Sequence, residues 1–93
     1  MTKKETKTTK ATYNGEWSEG SISIPKKGET KIIHYWVKHY SEGSEWGINQ
    51  GRISKLMLKM DGKVICNYDR GWDIEPTTEE ANLALCILLN DYN

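Results

Sequence analysis

Residues Arg52 to Pro76 read RISKLMLKMDGKVICNYDRGWDIEP. Asp61-Gly62 stands between two apolar runs, a strong local signal for a β-hairpin. Two registers compete. A two-residue loop pairs Met60 with Lys63 and mixes lysines with apolar residues on both faces. A three-residue loop, Met60-Asp61-Gly62 with Gly62 left-handed, pairs Lys59 with Lys63. It gathers Leu56, Leu58, Val64, Cys66 and Tyr68 on one face and Lys55, Lys59, Lys63, Asn67 and Asp69 on the other. A one-residue slip flips every side chain of a strand, so the cleaner segregation predicts the three-residue loop. The facing lysines cost about 0.2–1 kcal/mol. Burying one further aliphatic side chain is worth more, roughly 1.5–3 kcal/mol. Met57 and Ile65 fall on the polar face, which predicts partial cover there.

Downstream of the hairpin lies Tyr68-Asp69-Arg70-Gly71-Trp72-Asp73. Arg70 among Asp69, Asp73 and Glu75 predicts a clasp, with Gly71 bending the chain and Trp72 plugging the sheet–helix junction. Pro76 then leads into a helix over residues 77–92. Thr77 with Glu80 three residues on has capping-box spacing. Ala81, Ala84, Leu85, Leu88 and Tyr92 line one stripe, and Leu89 widens it. Leu83 points nearly opposite, with Cys86 and Ile87 on the flanks. A helix this apolar around its circumference is either deeply buried or offers a second face to a partner.

Upstream, SEGSEWGINQG (Ser41–Gly51) is a glycine-punctuated loop, long for a hairpin connection. Trp46 and Ile48 are expected to tuck it against the sheet. Thr30–Tyr40 is the strongest strand by composition. Ile33, Tyr35 and Val37 share one face; Ile32, His34, Trp36, Lys38 and Tyr40 share the other. Glu16–Ile24 is a short strand that Pro25 ends, and Lys26-Lys27-Gly28-Glu29 turns the chain. Residues 1–11 are Lys/Thr-rich without apolar periodicity and predict a disordered basic arm ahead of a single domain over 12–93. Strands followed by a helix predict an α+β fold: a four-stranded antiparallel meander with the C-terminal helix packed on one face.

Ninety-three residues allow one modest core. Four Trp, five Tyr and no Phe suit a domain with amphipathic aromatics. No apolar run spans a bilayer. The basic N-terminus has no apolar segment behind it, so no signal peptide is predicted and the expected location is cytoplasmic. Cys66 and Cys86 are then expected as reduced, buried small side chains. Formal net charge is zero, but Lys3, Lys4, Lys7 and Lys10 make the start basic. No Lys or Arg follows Arg70, whereas Asp73, Glu75, Glu79, Glu80 and Asp91 do, so the end is acidic.

The parts of an enzyme are missing from this pattern. His34 and His39, five apart in a strand, face opposite sides and do not converge. No Cys-x-x-Cys or His-x-x-x-His offers metal-ligand spacing, and no metal or cofactor is expected. Gly43, Gly47 and Gly51 recur every four residues, but no Lys-Ser/Thr follows to make a phosphate loop. Only Asp69, Arg70 and Asp73 form a constellation from which an enzyme could be built, and ion-pair networks produce such clusters without catalysis.

GRISKL, then YDRGWDIEP, then the acidic start of a Leu-rich final helix resembles an uncharacterised family of short proteins carried by phages and conjugative elements of gut Firmicutes. The resemblance covers about residues 32–92, with YDRGWD its most specific part. It implies carriage on a mobile element and no known activity, and it lends no catalytic residues. By analogy, a small mobile-element protein without enzyme parts suits an accessory factor or an inhibitor of host defence, anti-CRISPR-like.

The leading expectation is thus a non-enzymatic protein acting by protein–protein binding. Its surface would be the helix and the acidic end: Leu83, Ile87, Glu79, Glu80 and Asp73. A host defence nuclease or other nucleic-acid-binding protein is the expected target, since an acidic patch can occupy a basic channel; a homodimer is the other protein partner. The alternative is nucleic-acid binding on a sheet face, with Trp36 and Tyr40 stacking bases and Lys38, Lys55, Lys59 and Lys63 meeting phosphates. No membrane partner is expected.

Overall fold

The computed structural model describes the backbone of residues 3–12 and residues 15–93 with their side chains. The strands are β1 (Lys3–Thr12), β2 (Gly15–Lys26), β3 (Glu29–His39), β4 (Ile53–Met60), β5 (Lys63–Asp69) and β6 (Trp72–Ile74), followed by helix α1 (Glu79–Tyr92). They form one antiparallel sheet in chain order. This is the expected α+β meander with a C-terminal helix, but with more than the four strands predicted. The missed inner-sequence strand is β6, three residues that pair with Asn67 and Tyr68. It is too short for an alternation to register. The basic arm predicted over 1–11 lies partly outside the described residues; where its backbone is described, Lys3–Thr12 runs along β2.

Two tight hairpins use two-residue turns with left-handed backbone, Lys27-Gly28 (φ 47° and 80°) and Asp61-Gly62 (φ 54° and 76°). That geometry matches the right-handed strand twist. The three-residue loop expected at Asp61-Gly62 is therefore wrong: Met60 pairs with Lys63, and Lys59 with Val64 rather than Lys63. A bulge at Ile65 then adds one residue to β5, so that Leu58 faces Cys66 and Leu56 faces Tyr68. The extra residue restores the parity that the shorter turn would have lost. Leu56, Leu58, Cys66 and Tyr68 reach the core as predicted, while Val64 stays opposite Lys59 and Ile65 packs against the core instead. Pro25 does not end its strand. β2 runs on to Lys26, with Pro25 opposite Thr30 of β3.

The core lies between one sheet face and α1. Ile22, Ile24, Ile33, Tyr35, Val37, Ile53, Leu56, Leu58 and Cys66 come from the strands, and Ala84, Leu85 and Leu88 from the helix. Burial pushes the Cys66 thiol up to about 11, so it is an inert apolar filler. Cys86, predicted buried, is exposed on the far side of the helix. His39 lies against the Tyr92 ring, centroids 4.6 Å apart, and its Nε2 is 3.2 Å from Ser18 Oγ.

The helix cap lies one residue later than predicted. Thr78, not Thr77, caps α1, accepting from Ala81 N at 3.1 Å. Glu80 is thereby released from any capping box with Thr77. It is 5% exposed and forms an ion pair with Lys26 from the end of β2. The bond from Lys26 holds the Glu80 carboxyl below its ordinary range, and the same bond raises Lys26. A lowered carboxyl pKa adds stability that is complete above the unfolded value and is lost as pH falls through the folded one. A raised lysine adds stability that is complete below its unfolded value and lost as pH rises through the folded one. Burial also lowers His39, which contributes in the same direction as Glu80 on acidification. Glu80→Gln is therefore expected to flatten the fall in melting temperature between neutral and acid pH, measured by circular dichroism. His39 leaves a residual slope nearer neutrality. An unchanged acid limb would show that the pair is not coupled to folding.

Candidate functional site

The five residues expected to form a partner surface on the helix and acidic end do not form one patch. Leu83 is 40% exposed and Glu79 is exposed at the helix start. Ile87 is partly buried and packs against the core cluster. Glu80 is buried in its pair with Lys26. Asp73 lies on β6 and accepts from Asn67 Nδ2 at 3.1 Å. Helical spacing alone placed Ile87 on the outer flank.

The alternative surface comes together more completely. The outer sheet face is opposite the helix, and strand alternation sends Trp17, Lys38, Lys55, Met57, Lys59 and Trp36 to it. The register aligns them in rows across the strands. Trp17 faces Lys38 and Lys38 faces Lys55; Trp36 faces Met57; His34 faces Lys59. Trp17, Trp36, Lys55, Met57, Asn67 and Asp69 line a hollow of about 260 Å³. Lys38 Nζ lies 5.6 Å from the centre of the Tyr40 ring, at the end of β3. Lys55 also meets Asp69 at 3.6 Å. Lys63 does not join them: the two-residue turn pairs it with Met60 at the hairpin tip. The sequence reading missed Trp17 as a member of this face, although its alternation with Ser18 and the following strand carried the signal. Met57 was seen there as an anomaly, and this hollow is its explanation.

The Tyr68–Asp73 cluster is not the clasp that was expected. Asp69 pairs with Lys55 and Asp73 with Asn67, and among the described residues Arg70 has no ion pair. Arg70 is exposed and is itself the left-handed residue (φ 59°), where Gly71 was expected to take the bend. Trp72 is 39% exposed and meets the Tyr68 ring edge-on at 5.1 Å, so it caps the sheet edge rather than plugging the helix junction. The reason is β6: pairing Trp72 with Tyr68 carries the chain along β5 before it turns to the helix.

The Ser41–Gly51 loop is tightly built. Ile48 is buried, as expected, but Trp46 is 53% exposed, contrary to expectation. Tyr68 Oη donates to Trp46 O at 2.8 Å, which holds the Trp46 backbone against the sheet while its indole lies outward. Asn93 donates from Nδ2 to Ile48 O at 3.0 Å and accepts at Oδ1 from Ile53 N at 2.9 Å, tying the loop to the helix end.

Among the described residues, no group of three His, Cys, Asp or Glu side chains is placed to hold a metal, and no helix is long and apolar enough to cross a membrane. No curated protein and no solved structure matches this chain. The family model matches residues 16–93, which hold the strands β3 to β6, nearly all of β2, the helix and the YDRGWD turn, and the chain belongs to the family described as Domain of unknown function (DUF7678).

Proposed function

We propose that this is a non-enzymatic binding protein whose outer sheet face holds single-stranded nucleic acid. One observation carries the reading: the strand register places Trp36 and Trp17 beside Lys38, Lys55 and Lys59 on a face that α1 does not cover. Two of those lysines stand directly opposite each other. Facing like charges cost about 0.2–1 kcal/mol in a sheet and favour an anion laid across them. Aromatic faces stack bases of any sequence at about 1–3 kcal/mol each, and lysines track the backbone without reading it. The expected specificity is therefore low.

The test is fluorescence polarisation with a labelled single-stranded oligonucleotide at rising salt. Each phosphate contact on a single strand contributes a slope of about −0.7 in log affinity against log salt, so three lysines give about −2. Lys55→Glu with Lys59→Glu should abolish binding, and Trp36→Ala should weaken it with the salt slope unchanged. No signal at low salt would reject the proposal.

A second reading rests on Leu83, exposed on the outer side of α1 next to exposed Cys86. Here the helix docks on a protein, such as a host defence nuclease, and the chain acts in the cytoplasm as an accessory of a phage or conjugative element. A homodimer through the same helix is the simplest form. Sedimentation of the parent and of Leu83→Glu separates these: a dimer lost on substitution supports self-association. A monomer in both leaves a foreign partner as the only form of this reading.

A further inference from the structure

The end of the sheet beside the Ser41–Gly51 loop holds a second cavity, of about 420 Å³, lined by Tyr40, Glu42, Ser44, Trp46, Ser54 and Arg70. Its volume is in the range of small-molecule sites. Several independent features converge on it. Ser54 is the extra residue of a bulge in β4: Lys38 faces Lys55 and His39 faces Ile53, which leaves Ser54 without a partner in β3. Bulges re-aim side chains and gather beside binding sites. Ser54 is 5% exposed, and its hydroxyl has no hydrogen-bond partner. Buried hydroxyls are almost always bonded, so an orphan that lines a cavity marks a missing group.

Arg70 brings the charge. Its backbone N donates to Ser54 O at 2.9 Å, which docks the β5–β6 turn onto the bulge. Its left-handed φ of 59° is costly for a side chain of this size, although glycine follows immediately. Strain of this kind persists where a side chain is needed in place. Its guanidinium has no ion-pair partner among the described residues and suits an anionic group with two oxygens. Trp46 brings the ring. Its indole is 53% exposed on a loop whose backbone is bonded at both ends, so the exposure is built rather than incidental. Ser44 Oγ accepts from Trp46 N at 3.2 Å, which leaves the Ser44 hydroxyl proton free to donate.

A cation, two aromatic rings and hydroxyl donors around one cavity select a planar ring that carries an anion. We infer that this cavity binds a nucleoside monophosphate unit, with its base against Trp46 and Tyr40 and its phosphate on Arg70 and the Ser54 hydroxyl. Glu42, the one carboxylate in the lining, sits on the exposed loop and is the acceptor available to ribose hydroxyls. The unit comes either as a free nucleotide or as the phosphorylated end of a strand. The site does not depend on the outer-face reading, since among its residues only Tyr40 belongs to both surfaces.

The test is titration of the full chain with adenosine 5′-monophosphate, followed by the indole and amide cross-peaks of a ¹H–¹⁵N spectrum. Parallel titrations use adenosine, inorganic phosphate, and an oligonucleotide with or without a 5′-phosphate. The nucleotide should shift the Trp46 indole and the Ser44 and Arg70 amides, while adenosine and phosphate alone bind about tenfold more weakly or worse. Trp46→Ala and Arg70→Gly should each weaken binding at least about tenfold. Both residues are exposed, and glycine suits the left-handed backbone, so both variants should fold. Ser54→Ala should also weaken binding, yet melt no lower than the parent, because it removes an unpartnered hydroxyl. A serine kept only for structure would lower melting and leave binding alone. Lys55→Glu with Lys59→Glu should keep nucleotide binding even where it removes oligonucleotide binding. Response to the phosphorylated oligonucleotide but not to the free nucleotide would assign the site to strand ends. The inference is overturned if neither moves these peaks at millimolar concentration, or if the shifts survive Trp46→Ala and Arg70→Gly together.

Discussion

Leu88→Ala is expected to destabilise the protein by about 2–5 kcal/mol in urea melts, the range for truncating a buried leucine. Leu88 is fully buried where α1 meets the sheet, in one cluster with Leu85, Ala84, Tyr35 and Leu58. Its cluster neighbours Tyr35, Leu58, Ala84 and Leu85 are all buried, so little of the gap can be filled by collapse and the cavity term adds to the transfer term. A domain of this size is worth only about 5–15 kcal/mol in total, so the variant approaches the threshold of folding. Leu83→Ala on the same helix should cost well under half as much, because its side chain is 40% exposed. The comparison cancels helix propensity, since both substitutions are leucine to alanine. Equal losses would place Leu83 in the core and remove the second functional reading.

Gly47→Ala is expected to be the most damaging change in the loop, at about 1–3 kcal/mol or somewhat more. A methyl group at Gly47 would sit 1.9 Å from Gly51 O, a backbone atom that cannot rotate away. The Gly51 carbonyl also accepts from Ser44 N at 3.2 Å, so moving it breaks a loop bond as well. Gly51 is hemmed in too: its Cβ would meet the Asn93 amide at 2.3 Å, and that amide holds Ile48 and Ile53. The recurrence of glycine every four residues is thus a close-packing requirement, not a phosphate loop. If the cavity beside Trp46 is a nucleotide site, Gly47→Ala should weaken nucleotide binding in step with its loss of melting temperature. A Gly47→Ala protein that melts like the parent would mean the loop is looser than its bonds suggest.

The elements were legible because they rest on local chemistry. Alternation in Thr30–Tyr40 placed Ile33, Tyr35 and Val37 in the core, and all three are fully buried. The 3.6-residue stripe named Ala81, Ala84, Leu85 and Leu88 correctly for the same reason. Errors cluster where a long-range contact outbids a local preference. Glu80 has the spacing for a capping box, but Lys26, fifty-four positions earlier, takes it. The Asp61-Gly62 turn follows its own left-handed preference, and the hydrophobic faces are recovered by a bulge that alternation cannot reveal. Trp46 looks like a core aromatic by composition, but what is anchored at this position is its carbonyl, bonded by Tyr68, while its indole lies in solvent.

Which residues alternate, where the chain turns and which helix stripe is apolar can be read from the order of residues, because each is settled within a few positions by sterics and burial. Which polar groups meet is settled in the folded chain alone: Lys38 faces Lys55, Lys26 reaches Glu80, and Ser54, Arg70 and Trp46 surround one cavity. Those meetings depend on register and bulges, and shifting a strand by a single residue exchanges its two faces.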